Sequence, residues 1–215
     1  GGTIKLDGNY PVGTNNVALG DGALGDASLS GNNNTAVGDT ALTSLTSGTR
    51  NTGLGDGSLY STTTASSNTG LGTSSLLFNS TGANNTAVGD NALRFNTTAS
   101  DNTAVGYQAG YSTTVGFNNT LFGVKAGYSN VGNRGNTFLG QESGYSYNRA
   151  GSGDTFNTFV GYRAGYAQST EGLYNTYVGL FSGSTITTGS KNTILGGYNG
   201  NQGGLDIRTS SNNIV

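Results

Sequence analysis

The sequence has no cysteine, no histidine, no methionine and no tryptophan, and Pro11 is its single proline. Without thiols there is no disulfide and no thiolate chemistry; without imidazole there is no zinc finger and no His-based triad. Any serine or carboxylate put forward as a catalytic group lacks its usual base, so no catalytic residue, no cofactor and no enzymatic role are expected. Charge is sparse too, with 9 % charged residues and a net charge of −2. It divides as three basic against seven acidic residues through Asp101 and six against four afterwards. That gradient makes no clustered basic face, and nucleic acid is not an expected partner. No apolar run reaches the length of a membrane span or signal peptide, so no membrane insertion is expected. The lack of methionine means that residue 1 is not a translation start, and the expectation is a processed product or part of a longer chain.

What the chain has is glycine, at 39 positions, with Asn, Thr and Ser filling most of the rest and 12 Tyr and 8 Phe among them. Low charge and plentiful aromatics argue against disorder, and the apolar residues recur at fixed places. The unit Asn-Thr-small-apolar-Gly begins at Asn16, Asn34, Asn51, Asn68, Asn85, Asn102, Asn119, Asn136, Asn157, Asn175 and Asn192, with a truncated twelfth copy at Asn212. Six consecutive intervals from Asn34 to Asn136 are 17 residues, and the others are 17, 18, 20 or 21. A second half-motif follows each glycine, first as Asp-x-Ala-Leu (Asp39 to Leu42, Asp90 to Leu93), later as x-x-Ala-Gly-Tyr (Ala109 to Tyr111, Ala164 to Tyr166). Insertions fall after it, as in the turn-rich stretch Ser146 to Asp154.

Seventeen residues is too short for a helical repeat and suits one solenoid coil of two short strands and two turns. Gly and Asn at this density cost a helix about 0.5–1 kcal/mol per residue relative to Ala, and no window shows helical apolar spacing. The expected fold is therefore all-β, a parallel β-solenoid or β-roll of about eleven repeats of ~17 residues. At the usual strand spacing it would be a rod on the order of 50 Å long. Residues 1–15 read as a lead-in, 16–200 as the repeat shaft, and 201–215 as the start of a following β segment, truncated. Stacking should place the Asn side chains in a hydrogen-bonded ladder and the motif glycines where the chain turns or backbones approach closely.

In a strand, successive side chains face opposite ways. The residue before each glycine is large and apolar: Leu19, Val37, Leu54, Leu71, Val88, Val105, Phe122, Leu139, Val160, Val178 and Leu195. This column is expected to be the coil core. Its predecessor is Ala18, Ala36, Gly53, Gly70, Ala87 and Ala104, then Leu121, Phe138, Phe159, Tyr177 and Ile194. That second column is expected at trimer or inter-coil packing, because apolar residues on both faces imply that both faces are covered. A thin rod needs partners to bury enough area, and cyclic packing of three copies supplies them, so a homotrimer is expected.

The columns also change together. Through Leu93 the second half-motif supplies a leucine (Leu24, Leu42, Leu59, Leu76, Leu93) while the first supplies Ala or Gly. From Gly110 the leucine becomes glycine (Gly110, Gly127, Gly144, Gly165), and one repeat later the small residue becomes Leu, Phe or Tyr. Volume compensation within one packed layer would produce this pattern, and it requires the two columns to touch.

Two other columns are candidate sites. Asp21, Asp39, Asp56 and Asp90 follow the glycine and are weak candidates for calcium, although solvated turn residues are the simpler reading and no metal is assigned. Sixteen of the twenty aromatics lie at or after Tyr107, and Tyr111, Tyr128, Tyr145 and Tyr166 share one column. Rings facing water would stack on sugars, which makes this column the candidate for ligand binding, although packing on the neighbouring rung after loss of the leucine is the simpler reading. Asn-x-Thr sequons at Asn33, Asn84, Asn96 and Asn118 arise from the repeat itself.

The segments Asn84-Asn85-Thr86-Ala87-Val88-Gly89-Asp90-Asn91-Ala92-Leu93 and Asn102-Thr103-Ala104-Val105-Gly106-Tyr107-Gln108-Ala109-Gly110 resemble the repeats of phage tail-fibre shafts. They are also similar to the head repeats of trimeric autotransporter adhesins, which implies a left-handed parallel β-roll in a homotrimer. The resemblance covers about Asn15 to Gly200, and the stretch from Gly204 to Val215 resembles the segment that follows such repeats in phage fibre proteins, where a self-cleaving chaperone domain often comes later. Autotransporter repeats are nearer 14 residues and favour Ser-Val-Ala-Ile-Gly, which tilts the reading to the phage branch. The expected function is thus a structural fibre shaft of a virion, presenting host-recognition elements, with other fibre or virion proteins and a host cell-surface glycan as partners. A bacterial trimeric surface adhesin or extracellular filament is the alternative. An ice-binding solenoid, suggested by the column Thr35, Thr52, Thr69, Thr86 through Thr193, fits less well with one Thr per strand.

Overall fold

The computed structural model describes residues 13–147, 153–168 and 172–215. Its strands are β1 (Val17–Leu19), β2 (Thr35–Val37), β3 (Thr52–Leu54), β4 (Thr69–Leu71), β5 (Thr86–Val88), β6 (Thr103–Val105), β7 (Thr120–Phe122), β8 (Asn133–Arg134), β9 (Thr137–Leu139), β10 (Gly153–Asp154), β11 (Thr158–Val160), β12 (Thr176–Val178), β13 (Thr193–Leu195), β14 (Asn201–Gln202) and β15 (Leu205–Asp206). Eleven of them form one parallel sheet in the order β1-β2-β3-β4-β5-β6-β7-β9-β11-β12-β13. Each rung sits on the next with like residues in line: Thr52 on Thr69, Gly53 on Gly70, Leu54 on Leu71. The chain is a parallel β-solenoid, with no helix among the described residues. β8 and β10 form a small parallel pair at the insertion, and β14 and β15 an antiparallel hairpin.

Each coil holds one three-residue strand of this sheet, not two. The second half-motif forms turns, in which Thr40 and Leu42, then Asn91 and Leu93, take positive φ. These turns still tie coil to coil: the Leu42 N–H donates to the Ser58 carbonyl at 3.0 Å and the Leu59 N–H to Ser75 at 2.9 Å. Backbone groups are thereby satisfied along the rod axis outside the sheet as well as in it.

Two features lock the register. Asn51 donates both its backbone N–H (2.9 Å) and its Nδ2 (3.2 Å) to Asn34 Oδ1, and its Nδ2 also donates to the Ala65 carbonyl at 2.8 Å. The same unit recurs at Asn68, Asn85, Asn102 and Asn119, all buried. At the far end Asn213, not Asn212, continues this ladder, bonding to Asn192 Oδ1. The twelfth copy of the motif therefore starts one residue later than Asn212, at Asn213. The second lock is the motif glycine: Gly55 has φ of 130°, and a Cβ there would stand 2.7 Å from the Gly72 carbonyl carbon above it. Both the backbone angle and the closeness of the next coil require glycine.

The interior corrects the assignment of the two columns. Ala36, Ala87, Ala104, Leu121, Phe138, Phe159, Tyr177 and Ile194 are fully buried within the single coil, Gly53 and Gly70 are buried in the same file, and Ala18 is nearly so. The residues expected as coil core point outward: Leu19, Leu54, Phe122, Leu139, Val178 and Leu195 are exposed, and Val37, Leu71, Val88, Val105 and Val160 are half-buried. Alternation was right and its parity wrong. A 17-residue coil is too narrow for large residues from both sides, so the interior takes a small residue from the strand wherever the second half-motif contributes a leucine.

The compensating columns do touch. A Cβ added at Gly53 would lie 3.4 Å from Leu42 Cγ, and one at Gly70 3.4 Å from Leu59 Cγ, so each leucine reaches up under the strand of the next coil. At Gly110 a Cβ would meet Leu121 at 2.8 Å and Leu93 at 2.9 Å, and at Gly144 it would meet the Phe138 ring at 2.5 Å. The one-repeat lag in the sequence follows directly: the last leucine, Leu93, still occupies the layer beneath Ala104, and only above it is there room for Leu121.

Candidate functional site

Outward from the sheet stand two parallel files, the Thr column and the Val/Leu column two residues on, because positions one and three of each strand share a face. They run from Thr35 and Val37 to Thr193 and Leu195, the latter 70 % exposed. The result is a flat outer face, apolar along one side and hydroxylated along the other. A third file, beyond the motif glycine, changes character along the rod. It carries Asp21, Asp39, Asp56, Thr73 and Asp90 in the first half, then Tyr107, Val124, Gln141, Tyr162 and Leu180. Tyr107, Val124 and Leu180 are exposed.

The acidic candidates Asp21, Asp39, Asp56 and Asp90 are exposed turn residues, and among the described residues no group of three or more acidic side chains comes together. The aromatic candidates are arranged otherwise than sugar stacking requires. Tyr111 and Tyr128 stack at 5.0 Å and 1°, Tyr128 and Tyr145 at 5.1 Å and 8°, Tyr145 and Tyr166 at 5.2 Å and 9°. Their faces are spent on one another, which is the rung-on-rung packing and leaves no open ring face for a sugar. Phe95 meets Tyr111 edge-on at 5.0 Å, and Phe78 stacks on Phe95 at 5.3 Å, extending the ribbon downward. Arg163 lies 5.1 Å over the Tyr166 ring and Lys125 5.9 Å over Tyr128. The exposed edge of this ribbon, not its faces, is what a partner would meet.

A cleft of about 430 Å³ lies where the terminal hairpin meets the coils, lined by Ala167, Thr185, Thr187, Asp206, Arg208 and Thr209. Arg208 pairs with Asp206 at 2.7 Å, and this guanidinium holds the Asp206 carboxyl down at about 2. A carboxylate so paired is a poor proton acceptor at neutral pH.

Sequence reasoning missed an interior polar file. Thr62, Asn79, Asn96, Thr113 and Asn130 occupy equivalent places, each donating its N–H to the carbonyl three residues back, and all are fully buried. Leu29 and Leu45 precede them and Tyr147, Gln168 and Ile186 follow. Their spacing of 17 was visible from Leu45 to Tyr147, but the mixed chemistry hid it.

No family model matches the chain, and no curated protein or solved structure gives a significant match.

Proposed function

We propose that the chain is the shaft of a homotrimeric fibre of the phage tail-fibre kind, a spacer that carries host-recognition elements at a distance from the virion. The observation that carries this reading is the continuous outward file of Val, Leu and Phe from Leu19 to Leu195, a stripe that a monomer in water would leave exposed. Three copies related by a rotation axis along the rod would cover it with itself, since cyclic symmetry satisfies identical surfaces. Contact with a surface glycan, in this reading, runs along the hydroxylated edge of the tyrosine ribbon.

The test is the mass of the intact particle in solution, expected at three times that of the chain. Replacing Val105, Phe122 and Leu139 by Lys should return it to one chain with the β-sheet signal in circular dichroism unchanged, since all three point outward. A native chain that runs as a single protomer overturns the trimer. Thermal hysteresis in that protomer would move the reading to ice, because the Thr and apolar files lie side by side on one open face. A trimer whose full-length gene encodes a membrane anchor would be an adhesin; a chaperone domain beside it makes it a phage fibre.

A further inference from the structure

Six buried side-chain atoms without a hydrogen-bond partner fall in three successive coils: Asn96 Oδ1, Thr113 Oγ1, and both amide atoms of Asn130 and of Asn133. Asn96, Thr113 and Asn130 are successive members of the interior polar file, and all four residues are completely buried. Lower in the file Asn79 is fully paired, its Nδ2 donating to the Gly82 carbonyl at 3.0 Å and its Oδ1 accepting from Asn96 Nδ2 at 2.9 Å, and Asn96 Nδ2 also donates to the Ala99 carbonyl at 3.0 Å; the Thr62 hydroxyl, lower still, is a separate unpaired group. Above these coils the hydroxyl of Tyr147 donates to the Gly172 carbonyl at 2.8 Å.

The break has a local cause. Asn133 occupies the position held by Ala65, Gly82 and Ala99 in lower coils, as its carbonyl shows by accepting the ladder bond from Asn119 Nδ2 at 2.9 Å. That position adjoins the polar file: a Cβ on Gly82 would come within 2.5 Å of Asn79 Oδ1. Asn133 therefore brings a second amide to the place where Asn130 would otherwise bond to the carbonyl three residues on.

We infer that the solenoid encloses a structural water site here, one or more ordered waters bridging Asn96, Thr113, Asn130 and Asn133. Buried polar groups left unpaired in this number would together cost as much as the stability margin of an ordinary domain, so a partner is required. The donor set selects its chemistry. Carbonyl and hydroxyl oxygens alone would suit a cation, but the unpaired set also holds two amide NH2 groups, of Asn130 and Asn133, which can only donate. An anion would leave the amide oxygens orphaned. Water donates and accepts, and satisfies both. The site spans the coils where Leu121 replaces the leucine packing below and the aromatic packing of Phe138 begins above, beside an apolar core that runs on unbroken through Ala109, Leu121, Ala126 and Phe138.

A crystal structure at about 1.5 Å of the native chain tests this, together with the double variant Asn130→Leu with Asn133→Ala, residues the same two files already carry at Leu45 and Ala99. The native structure should show density peaks about 2.7–3.2 Å from both an amide nitrogen and an amide or hydroxyl oxygen. The double variant should lose them while its melting temperature holds or rises. A dry native site, or Asn130 and Asn133 bonded directly to each other, overturns the inference. So does a peak with oxygen-only contacts at about 2.3–2.6 Å, which would be a metal. If the double variant unfolds, slow buried-water exchange in the native chain by magnetic relaxation dispersion decides alone, its absence overturning the site.

Discussion

The lower coils and the upper coils fill the same interior by opposite means. Below, a leucine in the turn half packs beneath an Ala or Gly in the strand; above, a glycine in the turn half makes room for Phe138, Phe159 and Tyr177, which stack at 4.9 and 4.8 Å. The lower solution stores strain. Leu42, Leu59, Leu76 and Leu93 sit at φ between 48° and 57°, a region that costs an L-residue roughly 1–2 kcal/mol. In the upper coils Gly144, Gly165 and Gly183 take the same conformation at φ of 60–62° without that penalty. The comparison teaches that the coil specifies a volume per layer, and which half supplies it is free.

The sharpest way to break the comparison is to add volume above. Gly144→Ala should destabilise by about 3 kcal/mol or more, from overpacking against the Phe138 ring plus a positive φ, as measured by denaturant unfolding. Phe138→Ala alone should cost about 3–5 kcal/mol as a cavity. The double variant should cost less than their sum by about 1 kcal/mol or more, the signature of two residues sharing one space. Strict additivity would mean that the two columns do not compete. Removing volume below is the mirror experiment: Leu76→Gly should cost about 2–4 kcal/mol, its cavity partly offset by relief of the left-handed strain.

What both halves share is the asparagine ladder, so a change there should not distinguish them. Asn85→Ala and Asn175→Ala are each expected to lose about 2–3 kcal/mol, because removing one amide leaves the next rung's backbone N–H without a partner and takes one of the two donors from the carbonyl of Ala99 or Gly189. Equal losses in thermal melts would make the ladder a uniform spine. A loss confined to one half would make that half the seat of stability.

The repeat length, the parallel stacking, the ladder and the glycine turns were all legible in the sequence, because each is a column of one residue type with one physical job. The parity of the strand was not. Ala36 and Val37 are both apolar, and alternation says only that they face apart; it is the filling of the coil by Leu24 and Leu42 that sends the larger residue outward. The polar file escaped for a related reason. Thr62, Asn79, Asn96, Thr113 and Asn130 keep their spacing but not their chemistry, and buried polar residues do not announce themselves in a chain already rich in Asn and Thr. The tyrosine column was found, but its use of ring faces depends on the rung spacing: side chains stacked about 5 Å apart can cover one another, whatever their affinity for sugars.

The two aromatic stacks, one inside and one outside, give the finest comparison. Phe159 is enclosed, with Phe138 and Tyr177 on its faces and Tyr147 edge-on at 6.3 Å, whereas Tyr128 keeps one edge open to water. Tyr128→Ala should therefore lose the two stacking contacts with Tyr111 and Tyr145 and the distant contact with Lys125, about 1–2 kcal/mol in all, well short of the Phe138→Ala loss. Tyr128→Phe preserves both contacts and removes a hydroxyl at the open edge, so its melting temperature should match the native chain. If glycan contact runs along that edge, the same Phe variant should bind an immobilised polysaccharide more weakly without any change in stability. Matching affinity and matching melting temperature would leave the outer ribbon a packing device alone.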